Sequence, residues 1–144
     1  MSGSSKKMLA RLPKGLPVPE GMRARGFTQK HVMAGVSMMG VLMATAAALG
    51  ARSQGRSPVF RGVLLGFGLH GFGHLAMVAA AREYVSGLVT APTMVIPYWL
   101  RARKELAKEG ISDVDKATIA IAAAGIPVML AVHILAYRFI KECP

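Results

Sequence analysis

The stretch LHGFGHLAMVAAAREY, residues 69–84, sets His70 and His74 in an otherwise apolar run, with Arg82 and Glu83 the first charges to follow. Residues four apart share one helix face. Two imidazoles so placed can hold a metal ion through their ring nitrogens, and neutral imidazole suits zinc, iron, copper or nickel. The other two histidines, His31 and His133, also lie in or beside apolar runs. An ionisable group at membrane depth faces a neighbouring helix or a wet cavity. The competing role is hydrogen bonding between packed helices. Gly66, Gly68, Gly71 and Gly73 surround the first pair and permit close backbone approach.

The elements that carry these histidines are long chargeless blocks. Val32–Ala51, Gly62–Ala81 and Ala117–Tyr137 contain no Lys, Arg, Asp or Glu. About 20 apolar residues cross the hydrocarbon layer as a helix. A further run, Ser86–Leu100, has only 15 residues and contains Pro92 and Pro97. That length gives about 22 Å of helix, and proline breaks or kinks it. The 144-residue chain is 53% hydrophobic and 17% charged, leaving too little polar surface for a soluble domain with four such runs. The expected fold is all-α: a polytopic transmembrane helical bundle of about four segments, the third short and Pro-broken. Residues 1–30 form a basic surface tail, and 31–144 a single helical membrane domain.

The formal net charge is +11. In a soluble protein this would suggest nucleic acid. Here the basic residues sit in tails and loops without a series of stacking aromatics, so no nucleic-acid partner is expected. The tail carries Lys6, Lys7, Arg11, Lys14, Arg23, Arg25 and Lys30 against Glu20 alone. Its expected partners are the lipid bilayer and its anionic headgroups. Four crossings put both termini on one side, with ten Lys/Arg there against eight opposite, a small bias toward termini inside. The expected location is an integral position in a bacterial inner membrane or an organelle membrane. The single Cys143 excludes an internal disulfide. RARKELAKEG, residues 101–110, reads as a short charged helix ending at Gly110, and Ser112 as the cap of the last helix.

In the four-crossing arrangement His74 lies about 10 Å inside the boundary at Ala81, and His133 about 6 Å inside that at Tyr137. His31 starts the first run on the same side. His31, His74, His133 and Glu83 can therefore share one leaflet. The candidate metal ligands are His70, His74 and His133, with His31 and Glu83, and the candidate cofactor is a divalent metal. The ten methionines read as packing. No phosphate loop, specific Ser-His-Asp arrangement or paired carboxylates are evident.

Residues 69–99, LHGFGHLAMVAAAREYVSGLVTAPTMVIPYW, resemble the HXXEE-domain family of integral membrane proteins. The matching positions are His70 or His74, Arg82, Tyr84, Gly87, Thr90 and Pro97. The resemblance implies a helical membrane fold and, in the family's own members, a membrane enzyme. The chain departs from the family at the motif that names it. His31 is followed by Val32, Met33, Ala34 and Gly35, and His133 by Ile134, Leu135, Ala136 and Tyr137. Without the Glu-Glu pair, a metal loses its anionic ligands and a general acid/base loses its candidate. The leading expectation is a structural or accessory component of a larger membrane assembly, with membrane-protein subunits as partners and no enzymatic role. The alternative is an HXXEE-like metal-dependent enzyme using a histidine cluster; a small transporter or channel comes third.

Overall fold

Three side-chain caps start the long helices of this chain. The computed structural model describes residues 9–10, 15, 18–26, 28–82, 87–112 and 114–142. Helix α1 spans Glu20–Arg25, α2 Gln29–Arg52, α3 Pro58–Ala81, α4 Ile96–Lys108 and α5 Lys116–Glu142. Thr28 Oγ1 accepts the His31 N–H at 3.2 Å and caps α2. Ser57 caps α3, with Pro58 in the first turn, where its missing N–H costs nothing. Asp115 Oδ1 accepts the Thr118 N–H at 2.8 Å and caps α5. This corrects the sequence expectation that placed the cap at Ser112. Ser112 Oγ instead accepts the Val114 N–H at 3.3 Å. A carboxylate next to the first turn both satisfies an N–H and faces the positive helix end, so Asp115 is the better cap.

The helix ends are equally determined by local chemistry. At the end of α2 the Gly55 N–H reaches the Gly50 carbonyl at 2.8 Å, while Gln54 and Gly55 take φ values of +52° and +82°. At the end of α4 the Ile111 N–H reaches the Leu106 carbonyl at 3.0 Å, and Gly110 has φ +67°. Both are left-handed caps that satisfy orphan carbonyls. Ile111 also packs back against the cluster holding Leu106. Gly110 is the C-terminal glycine that the sequence indicated.

α2, α3 and α5 are long and apolar enough to cross a membrane. The segment before α4 is a π-helical turn, Ala91–Val95, with Pro92 in its first turn. The Ile96 N–H bonds the Ala91 carbonyl five residues back. This wider register carries the chain past Pro92 and into Pro97 without a break. The helix then runs unbroken through RARKELAK to Lys108. The separate charged helix expected at 101–110 is therefore the second half of α4. The third segment is short, as expected, but its prolines do not break it: the π turn Ala91–Val95 leads straight into α4.

The chain divides into two units, Met1–Val41 with Pro127–Pro144, and Leu42–Ile126. In the second unit glycines set the helix contacts. A Cβ on Gly71 would fall 2.9 Å from Val95, one on Gly68 would overlap the Trp99 ring, and one on Gly55 would fall 2.7 Å from Leu106. Leu64, Trp99 and Leu106 form the buried cluster between these points. The third segment therefore returns antiparallel to α3. The first part of α5, up to Ile126, then runs alongside α3 in the same direction: Gly62 meets Ile121 and Gly66 meets Ala122. Arg61 Nη1 donates to Asp115 Oδ2 at 2.6 Å and to the Ser112 carbonyl, joining the starts of α3 and α5.

In the first unit Leu9 and Val18 are buried, with Leu130 and Tyr137 of α5 packed against them. Arg23 Nη1 donates to the Leu9 carbonyl at 3.1 Å. Most of the basic residues of the tail lie outside the described residues.

Candidate functional site: two histidine pairs

His31 is the third residue of α2, and its burial at 2% exposure follows from what lies across from it. Gly35 lies one turn on, on the same face. The His133 ring occupies the space that this glycine leaves: a Cβ there would touch His133 Nδ1 and Cε1 at 3.7 Å. His31 Nε2 and His133 Nδ1 are 3.2 Å apart. The ring planes are within 4° of parallel and the centres are 5.4 Å apart. The centres are thus 2.2 Å farther apart than the nitrogens. That excess is what two rings joined in line through N–H···N produce. This pair shares a proton, with one ring donating and the other accepting. The Tyr137 ring is tilted toward it, its centre 6.5 Å from that of His31.

His70 and His74 on α3 meet differently. Their Nε2 atoms are 2.9 Å apart. The ring centres are 4.4 Å apart and the planes stand at 77°. Here the centres exceed the nitrogens by only 1.5 Å, so the rings lean away from the N···N line. His74 is wedged against the Gly87 turn. Gly87 has φ +97°, and a Cβ there would fall 2.9 Å from His74 Nδ1. That Nδ1 is buried and has no hydrogen-bond partner. Gly87 matters twice: it takes a left-handed backbone and leaves room for the imidazole.

Of the five candidate metal ligands, the structure thus joins His31 to His133 and His70 to His74, the first pair in one unit and the second in the other. Glu83 lies outside the described residues. Among the described residues, no three His, Cys, Asp or Glu side chains form a group suited to a metal ion.

Three charged groups outside the apolar helices, Asp115, Glu105 and Arg103, have local partners. The Asp115 carboxyl is held below its usual range by Thr118, its backbone N–H first and then its side chain, and after these by Arg61. Glu105 is likewise lowered, chiefly by its hydrogen bond from Lys108. The Arg103 guanidinium lies 4.8 Å above the Trp99 ring centre. Reasoning from sequence missed Gly35 and Gly87 as seats for imidazoles. For Gly35 a signal was present, since it lies four residues from His31. For Gly87 a turn signal existed, but not the ring it would meet.

These features define an all-helical protein with three membrane-length apolar helices, a short third segment and paired intrahelical and interhelical histidines. The chain belongs to the family described as proteins of unknown function with an HXXEE motif, which matches residues 8–102. No curated protein and no solved structure matches it. The matched region includes His31, His70 and His74 but ends before His133. No Glu-Glu dipeptide occurs anywhere in the chain.

Proposed function

We propose that this protein is a small integral membrane protein serving as an accessory subunit of a larger membrane assembly. The observation that carries this reading is how little of its apolar helices the chain itself covers. Only 11%, 17% and 11% of the three membrane-length windows is buried. The uncovered surface includes small residues in helical register, Ala44 with Ala48 on α2 and Ala120 with Ala124 on α5. Small residues facing outward let another helix approach closely, whereas contact with lipid needs no such gap. The missing carboxylate pair also removes the most direct route to acid–base chemistry.

The test is isolation of the full chain from its native membrane in mild detergent, followed by native mass spectrometry. Stoichiometric membrane subunits that are lost on substituting Ala44 and Ala48 by Leu support the reading. A chain that isolates alone, under conditions in which known complexes of that membrane stay intact, overturns it.

A further inference from the structure

We propose that His70 and His74 form a two-imidazole clip for a first-row transition-metal ion. This is independent of the accessory reading, since a subunit and an isolated protein could both carry it. The argument starts from the difference between the two histidine pairs. In His31–His133 the lone pair and N–H point at each other. In His70–His74 the Nε2 atoms are also within hydrogen-bond distance, at 2.9 Å, but the rings stand at 77° and lean off the N···N line. A metal about 2.1 Å from each nitrogen would place two imidazole centres about 4.5 Å apart for this nitrogen separation. The observed distance is 4.4 Å. The same metal on the His31–His133 pair would require about 5.0 Å, and the observed 5.4 Å is longer.

Three further features point the same way. The two nitrogens come from positions i and i+4 of one helix, so the helix itself sets their spacing. The 2.9 Å separation corresponds to an N–metal–N angle of about 90° at a metal–nitrogen distance of about 2.1 Å. Such an angle suits adjacent ligands in octahedral or tetragonal coordination, as in iron(II), nickel(II) or copper(II). Finally, the clip is backed rather than floppy. Gly87, having no Cβ, lets its turn lie against the His74 ring, and the π turn that follows is packed on Gly71 through Val95. A site held by its supporting shell keeps its geometry when empty.

The experiment uses the full chain in nanodiscs, titrated with Cu²⁺ alone and followed by electron paramagnetic resonance and calorimetry. One equivalent of Cu²⁺ is expected, with nitrogen hyperfine structure from two imidazoles. His70→Ala and His74→Ala should each weaken binding more than about tenfold, the lower bound for loss of a group that merely supports a ligand. His31→Ala should leave binding unchanged. If a substituted chain fails to fold, the spectrum of the unsubstituted protein still decides. Absence of saturable one-equivalent binding, or a spectrum without two-nitrogen coupling, overturns the clip. So does undiminished binding by a folded H70A/H74A chain.

Discussion

Gly68 and Gly73 lie five residues apart on one helix and differ completely in what surrounds them. A Cβ at Gly68 would overlap the Trp99 ring, whereas at Gly73 nothing lies within 4 Å. Gly68→Ala should therefore destabilise the protein by about 1–3 kcal/mol, the usual range for overpacking. Gly73→Ala should be neutral or stabilising by up to about 1 kcal/mol through helix propensity. Thermal unfolding in detergent, followed by circular dichroism, separates the two; equal effects would contradict the packing assigned to Trp99. Asp115 gives a second residue-scale prediction. Its folded carboxyl titrates below the usual value, so the stability it provides is complete above the unfolded Asp range. That stability is lost as pH falls through the lower folded value. Asp115→Ala should destabilise the protein, since it removes the cap as well as the ion pair. Asp115→Asn keeps the cap and loses only the Arg61 ion pair, so it should cost less and remove Asp115's share of the acid-side dependence, leaving that of Glu105.

At the scale of elements, the left-handed end of α4 is the decisive joint. Gly110 at φ +67° lets the Ile111 N–H reach back to Leu106. Gly110→Ala should destabilise by about 1 kcal/mol, since a Cβ disfavours that backbone. The open surroundings of Gly110 mean that no steric clash adds to this. A larger loss in chemical unfolding would show that the loop has a further role. The composite element, π turn plus α4, was only partly legible in the sequence. Its shortness and its prolines were plain. Its continuity was not, because the switch at Arg101 from apolar to charged looks like a boundary. In the fold Trp99, Ala102 and Leu106 continue one inward face across that switch, while Arg101 and Lys104 stay exposed. The helix is held by its packed stripe, not by its average polarity.

For the molecule as a membrane protein, the return of the third segment alongside α3 carries a prediction of sidedness. The 53–57 turn and the 109–115 loop meet through Gly55 with Leu106 and Ile111, and through Arg61 with Asp115. Single cysteines at Gln54 and Ser112, in a Cys143→Ser background, should be labelled from one side of the membrane. Tags on the two termini should both be reached from the other side. Labelling of the Gln54→Cys and Ser112→Cys variants from opposite sides would overturn the four-segment path.

The sequence alone determined the helical class of fold and the blocks long and apolar enough to cross a membrane, because runs of about 20 chargeless residues are written directly in it. It also located the glycine cap at Gly110 and all four histidines, since turn chemistry and polarity are local properties; the Gly55 cap was not indicated. Which imidazole meets which was decided only by the tertiary structure. His31 and His133 are 102 positions apart, and no periodicity links them. Their contact requires Gly35 to leave a gap one turn along. The difference between a shared proton and an angled clip likewise arises from ring orientation, which depends on what each ring is packed against.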